Sequence, residues 1–276
     1  MEKITGNKEE KEAVASPEKQ IDPAQAGGNN WLEVQDSLKE RLITEDDFNW
    51  KLPNSNSIEL KEEEVLLKFV GGVDISYSKE DPSMACGCLV VLDLQTLQLV
   101  YEDYSIHNFQ VPYVPGFLAF REAPVLLQLL ENMKMKANPF YPQLLMVDGN
   151  GLLHPRGFGL ACHLGVLANL PTIGIGKNLH HVDGLTHTTV RQLLEAKENS
   201  DADIITLKGR TGFVWGVAMR STPDTLKPIF ISIGHRISLD TAVLIVKMTC
   251  KYRVPEPIRQ ADIRSRDYLR KHQMGH

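Results

Sequence analysis

The amino-acid sequence predicts an α/β fold, a mixed β-sheet with helices packed on it. Three observations predict it. The runs "LLKFVGGVDISY" (66–77), "ACGCLVVLDL" (85–94) and "LQLVYEDYSI" (97–106) are β-rich and joined only by short Asp/Pro/Ser or Gln/Thr connections, the pattern of an antiparallel meander. The run "PQLLMVD" (142–148) is continuously apolar and of strand length, as expected of a central strand covered on both faces. Segments of helical periodicity alternate with the later strands, and this order gives a mixed sheet with helices against it.

The elements follow in order. Residues 1 to about 30 are charged, end in Gly and Asn and hold almost no large apolar side chain, so a disordered tail is expected there and 31–272 is read as a single domain. Trp31, Val34, Leu38 and Leu42 recur near helical spacing and predict an N-terminal helix within 31–47. "KLPNSNSIELKEEE" (51–64) reads as a polar loop. After the meander, Val125, Leu126, Leu129, Leu130 and Met133 mark one face of a helix, with Pro124 in its first turn, where proline is tolerated. Beyond "PQLLMVD" come a helix in "GFGLACHLGVLANL" (157–170), a short strand "PTIGIG" (171–176), and the strand pair "GFVWGVAMR" (212–220) and "KPIFISIG" (227–234). Two helices close the chain, one in "SLDTAVLIVKMTC" (238–250), the other in a basic C-terminal segment. No internal repeat is visible.

Composition narrows the class. With 276 residues, 42% of them hydrophobic and 24% charged, the chain is long enough for one large domain with a substantial core. No apolar run approaches the roughly 20 residues of a membrane-spanning helix, and the first thirty residues carry no apolar core of a secretory signal. The expectation is a soluble, monomeric protein of the cytoplasm, with the nucleus as a further location and no membrane partner. Cys86 and Cys88 form C-x-C inside an apolar run, and Cys162 and Cys250 stand alone. Zinc spacing is absent, so four free thiols, mostly buried, are expected. The net charge of −5 is uneven: Lys251–His272 holds seven Lys or Arg against three Asp or Glu, a segment of +4 on a body of −9. Such a segment suits contact with phosphates, and a solvated helix explains it equally well.

Several motifs fail on inspection. "GIGK" (174–177) lacks the first glycine of a P-loop, at Pro171, and the Ser or Thr after the lysine, at Asn178. "GNGLLH" (149–154) has His154 where a dinucleotide fingerprint needs its third glycine. "LHHVDG" (179–184) offers His180, His181 and Asp183 with nothing to complete a metal set, and reads as a surface loop. What remains is three carboxylates in unusual places. Asp74 interrupts an apolar strand, Glu122 stands just before the helix expected near Pro124, and Asp148 ends the central strand. Isolated charges are seldom buried unless paired or bound to metal. Hard oxygen ligands from a strand, a helix start and a neighbouring strand would suit Mg²⁺. Equally, each could be a local cap, turn former or ion-pair partner, and the residues alone leave both readings open.

The segments "VGGVDISY", "VPYVPGFLAFREAP", "LLMVDGNGLLHPRGFGLACHLGVLANLPTIGIGK", "ISIGHRISLDTAV" and "VPEPIRQADIRSR", in that order from Val70 to Arg266, resemble the endonuclease V family, most closely its animal members. The resemblance implies a ribonuclease H-like fold and a catalytic domain over 31–272. It also implies an endonuclease that cuts the second phosphodiester bond 3′ to inosine and uses Mg²⁺, for which Mn²⁺ substitutes. It places metal ligands at Asp74, Glu122 and Asp148, a cation close to the scissile phosphate at Lys177, and a catalytic helper near the metal at His235. "PYVPG" matches a wedge that enters the gap left by a displaced base, through Pro112, Tyr113, Val114 and Pro115, with Tyr113 as its stacking member. The base pocket is implied at Gly116, Leu118 and Gly149, with His154 in the same region. Animal members favour RNA, so single-stranded inosine-containing RNA is the expected partner. Deoxyinosine in DNA is the alternative substrate, and a protein that reads inosine without cutting is the alternative class.

Overall fold

The structure, a computed structural model, describes residues 31–53, 65–110, 113–196, 204–222, 225 and 227–274. The tail expected over 1–30 and most of the polar stretch 51–64 lie outside the described residues. In chain order the elements are α1 (Trp31–Lys39), β1 (Trp50–Lys51), β2 (Val65–Leu66), β3 (Phe69–Tyr77), β4 (Met84–Asp93), β5 (Leu99–Asn108), α2 (Leu118–Met135), β6 (Leu144–Asp148) and α3 (Leu160–Ala168). They continue with β7 (Thr172–Gly176), α4 (His187–Ala196), β8 (Ile204–Lys208), β9 (Val214–Met219), β10 (Ile229–His235), α5 (Leu239–Thr249) and α6 (Glu256–Met274). No helix among the described residues is long and apolar enough to cross a membrane.

Strands β3 to β10 form one eight-stranded sheet in the order β5-β4-β3-β6-β7-β10-β9-β8. The three strands at its centre, β3, β6 and β7, run parallel, and every other pairing is antiparallel. The expected meander is β3-β4-β5. The all-apolar β6 lies between β3 and β7, and its first four residues are buried. This is the mixed sheet with flanking helices that the sequence pattern predicts.

Because side chains alternate along a strand, each residue's parity assigns it a face. Val73, Leu89, Val91, Leu145 and Val147 pack under Leu126, Leu129, Leu130 and Met133 of α2 and Leu164 of α3. Val70, Leu144, Met146, Ile173, Ile175 and Ile231 face the other way, against Ile245 and Val246 of α5 and Ile258 of α6. Burial of each such aliphatic side chain contributes about 1.5–3 kcal/mol. α4 adds Val190 and Leu194 over Ile205, Leu207 and Phe230. α1 closes the edge of α3 through Leu38 against Phe158, Cys162 and Val166. The four thiols are free, three of them buried.

Two local expectations are corrected. α2 opens at Leu118, not near Pro124, so Pro124 lies inside it and Glu122 belongs to its second turn rather than preceding it. Proline costs the helix one internal hydrogen bond there, but the apolar stripe from Val125 to Met133 buries enough surface to carry the helix through. The sequence pattern also gave no sign of α4 and β8. α4 is polar on most of its surface, with Val190 and Leu194 the buried residues among those described, and β8 alternates buried and exposed over just five residues.

One glycine positions the site. A Cβ on Gly72 would stand 2.2 Å from the Pro257 carbonyl oxygen. Only a residue without a side chain lets the first turn of α6 rest on β3, and α6 carries a carboxylate to the centre of the sheet.

Candidate active site

β3 and β6 are parallel neighbours with Val73 opposite Val147, so the next residue of each, Asp74 and Asp148, stands side by side on the α6 face. α6 crosses β3 on that face and brings Asp262 to the same point. One carboxylate oxygen from each of Asp74, Asp148 and Asp262 lies within 4.8 Å of the others. Lys177, just past the end of β7, reaches the cluster: its Nζ is 2.5 Å from Asp148 Oδ2 and 3.7 Å from Asp262 Oδ1. Ser265 Oγ donates to Asp74 Oδ2 at 3.3 Å and shares a 2.7 Å hydrogen bond with Ser76 Oγ. The Asp74 side chain is thereby held from beneath.

The charges are strained against one another. Burial, then the neighbouring Asp148, raises the Asp74 carboxyl well above the usual carboxylate range. For Asp262, burial acts upward, but the Arg266 and Lys177 cations outweigh it and hold the group below its ordinary value. Burial alone would lower the Lys177 ammonium; Asp148, Asp74 and Asp262 raise it instead. Three carboxylates crowded around less than one cation apiece form a donor set of hard oxygens with excess negative charge, which fits a divalent cation such as Mg²⁺ or Mn²⁺.

Glu122 arrives from the opposite face of the sheet. Its carboxylate accepts a 2.8 Å hydrogen bond from the Tyr77 hydroxyl and is not one of the three that converge within 4.8 Å. Burial pushes its carboxyl up to about 7; the Tyr77 bond opposes this, and the Asp148 charge adds to it. Glu122 is therefore within electrostatic reach of Asp148 while held by Tyr77.

His235 is not brought to the cluster. It pairs with Thr172, the first residue of β7, whereas Asp148 pairs with Ile175 and Lys177 follows the last residue. Five residues of strand, roughly 15 Å, separate the two ends. Its Nδ1 accepts the Ile43 N–H at 3.2 Å, and burial, with Arg236 and Arg41 nearby, pushes the imidazole down to about 4. The expected helper near the metal is thus a neutral, buried histidine holding the segment after α1. The carboxylate Asp262 occupies the cluster instead.

Two loops flank the end of β6. Gly149 directly follows Asp148, and its N–H donates to the Ile175 carbonyl at 3.1 Å. The loop onward to Gly159 is joined to the other loop by Gln35 of α1, whose Nε2 donates to Phe158 O at 3.1 Å and Gly116 O at 3.3 Å. Arg156 also donates to Gln35 and lies 5.3 Å from the Phe117 ring centre. Tyr113 is half exposed and Pro115 exposed, but Val114 is buried against Trp31 and Phe117. Val114 anchors the loop and is not free to enter a base stack. Gly116 has φ of +83°, which turns the chain into α2, and Leu118 is the half-buried first residue of that helix. His154 is buried, its Nδ1 accepting the Arg156 N–H at 3.3 Å; burial, His180 and Arg156 push it down to about 4. Pro112 lies outside the described residues. His180 and His181 are exposed in their loop.

Asp262 is hidden in the sequence because Arg266 at i+4 makes it look like half of an ordinary helix-surface pair. The signal was its place in the stripe Ile258, Asp262, Ser265, Leu269, of which Ile258, Ser265 and Leu269 are buried. The basic C-terminal segment is also less free than its charge implied. Arg259 pairs with Glu256, Arg264 with Glu102, and Arg270 and Lys271 with Asp267.

A family profile described as Endonuclease V matches residues 51–263. The chain belongs to the endonuclease V family. It is 45% identical over 241 residues to mouse Endonuclease V, covering 87% of this chain and 69% of the mouse protein, and 43% identical to the human protein over 87% and 83%. The solved catalytic domain of human Endonuclease V superposes with a TM-score of 0.80 at 41% identity, over 88% of this chain and 96% of that one. The Ciona intestinalis enzyme superposes with a TM-score of 0.80 at 36% identity, over 91% and 99%. The sheet is accordingly of the ribonuclease H-like type, and the protein is an endonuclease, a hydrolase of phosphodiesters. Its family is one of metal-dependent nucleases, and the Asp74–Asp148–Asp262 cluster of this chain could hold a metal ion.

Proposed function

We propose that the protein cuts the second phosphodiester bond 3′ to inosine, preferentially in single-stranded RNA, with Mg²⁺ held by Asp74, Asp148 and Asp262 and with Glu122 at its margin. The observation that carries this reading is the convergence of three carboxylates and Lys177 where β6 runs into the Gly149 loop. A phosphodiester resists attack because it is anionic. A divalent cation supplies charge screening and acidifies a water at neutral pH. Lys177 adds a fixed positive charge where negative charge builds on the phosphate. Ser265 and Ser76 orient Asp74, and Tyr77 keeps Glu122 in place.

Base selection falls to the loops. Hypoxanthine presents an O6 acceptor and an N1 donor, the reverse of adenine, and lacks the amine of guanine. The backbone N–H and C=O groups around Gly116 and Gly149 suit reading of that edge at close range. Tyr113 is exposed for stacking, an interaction worth about 1–3 kcal/mol per base. The Ciona enzyme's structure is in complex with a 23mer DNA containing an inosine followed by a ribo-adenosine, which supports a role for a ribonucleotide beside the inosine. Action in the cytoplasm, where processed RNA accumulates, is part of the same proposal.

The test compares matched single strands carrying inosine or adenosine, each with a ribo- or deoxyribonucleotide next to it, with Mg²⁺ and with chelator. Inosine strands with the ribonucleotide should be cut fastest, and chelation should stop cutting. Equal cutting of adenosine strands would remove the inosine reading, and faster cutting of the all-DNA strand would reverse the preference for RNA.

A further inference from the structure

A cleft of 410 Å³ opens beside the carboxylate cluster and shares Lys177 with it. Its wall is one face of α4, with His187, Val190, Arg191 and Leu194 at helical spacing, and Phe230 contributes to its floor. Arg220, Lys227 and Arg253 line the rest. Phe230 pairs with Gly176, so the start of β10 lies at the same end of the sheet as Asp148 and Lys177. The cleft is therefore a continuation of the candidate active site along the sheet, not a separate hollow. Its size lies in the range of small-ligand sites.

The charge is the second observation. Almost every basic residue of α6 has a carboxylate partner. In the cleft, Arg191 pairs with Glu195, but no carboxylate among the described residues pairs with Arg220, Lys227 or Arg253. Arg253 is spent on structure: it donates to the carbonyls of Lys177, Lys227 and Pro228 at 2.9–3.1 Å, stapling the end of β7 to the start of β10. Arg220 Nε is buried with no hydrogen-bond partner among the described residues. A guanidinium N–H left unsatisfied inside a protein costs free energy unless something else accepts it. Unbalanced cations on the rim, an orphan donor in the wall and an apolar floor match the two halves of a nucleotide, phosphate and base.

We propose that this cleft is a subsite for the substrate strand beyond the cut, where Arg220 and Lys227 grip a backbone phosphate and the nucleotide lies on Val190, Leu194 and Phe230. The proposal rests on the nuclease reading above and extends it to how the enzyme holds its strand. It predicts a protein that measures strand length on one side of the inosine, because only a strand long enough to pass Lys177 reaches the cleft.

The experiment uses the full chain with inosine-containing single strands that extend either a few or roughly ten nucleotides beyond the cut on one side or the other, a span comparable to known single-strand sites. Arg220→Gln and Lys227→Gln are made singly and together; Lys227 is exposed, so its variant tests the idea even if the Arg220 variant folds poorly. On the long strand the double variant should raise KM about tenfold, as expected when charged hydrogen bonds are removed, with kcat little changed. The slope of log affinity against log salt should shrink by about 0.7 for each phosphate no longer neutralised. Shortening the strand on one side should close the gap between parent and variant, and Arg220→Lys should recover part of the loss. An unchanged KM and salt slope, or an effect equal on long and short strands, would overturn the subsite. Adenosine strands run in parallel separate the two claims: loss of inosine selectivity with length dependence intact removes only the substrate reading, and selectivity without length dependence removes only the subsite.

Discussion

Lys177 and His235 have nearly the same local sequence, a basic residue after "GIG" in one case and after "SIG" in the other, yet they sit at opposite ends of the sheet. β7 runs parallel to β6, so its end delivers Lys177 to Asp148. β10 runs antiparallel to β7, so its end carries His235 back to Thr172, where β7 begins. One residue faces three carboxylates and is driven toward permanent charge; the other faces a backbone N–H and two arginines and is driven toward neutrality. Strand direction, which no local motif encodes, decides which of two similar segments is chemistry and which is scaffold.

The contrast is sharpest at the Lys177 end. Asp148→Asn keeps the shape and removes a charge from the cluster; cleavage should fall on the order of 10³-fold or more, since several kcal/mol of charge stabilisation depends on the ligand set. Binding of an inosine-containing strand, followed by fluorescence anisotropy, should persist. Full activity in that variant would take Asp148 out of the metal site. Lys177→Ala should cost about 10²-fold in kcat, the usual loss when one preorganised positive group is removed, as read from single-turnover cleavage.

A smaller effect is expected where the cluster is moved and not chemically changed. Gly72→Ala drives a Cβ into the Pro257 carbonyl and must lift the start of α6, taking Asp262 with it. Activity should drop about tenfold or more, because misplacement by about 1 Å is costly, and the melting temperature should fall. Unaltered kinetics would mean that Asp262 is not needed where it stands.

The smallest catalytic effect belongs to the other end. His235→Leu removes the acceptor for the Ile43 N–H, which should destabilise the fold by about 1–3 kcal/mol while kcat per folded molecule stays within a few-fold. A loss approaching that of Lys177→Ala would restore His235 to the chemistry. The contribution of His235 to the pH dependence of stability has a definite sign. The imidazole is pushed from 6.5 down to about 4 in the folded chain, so the unfolded chain binds the extra proton between those values. Stability is therefore full above about 6.5 and falls as pH drops toward 4. His154 and His163, also pushed down to about 4 by burial, act in the same direction. The raised carboxyls of Glu122 and Asp74 act in the opposite direction, so the histidine contribution is read as a difference: in urea unfolding from pH 7 to 4, the stability of the parent relative to His235→Leu should fall as pH drops.

Much of this protein was legible in one dimension. The meander, the all-apolar β6 and the apolar stripes of α2 and α3 are periodic patterns, and periodicity is a local consequence of backbone geometry. Asp74 and Asp148 were legible too, because a carboxylate in an otherwise apolar strand has to be explained by something nearby. Pro124 misled about the start of α2 because a local penalty was outweighed by packing along the rest of the helix. Val114 reads as part of a wedge in sequence, and only the fold shows Trp31 and Phe117 covering it.

What only the tertiary structure decided was which charges meet. Asp262 is 188 residues from Asp74 in the chain and beside it in space, and its Arg266 partner hid it among ordinary helix pairs. The residues that line the Arg220 cleft are drawn from the end of β7, from α4, from the ends of β9 and β10 and from the α5–α6 connection, so no window of sequence shows them together. Secondary structure follows from the order of side chains along a few residues. A site depends on the directions in which strands run and helices cross, and those are set by the burial of the whole core.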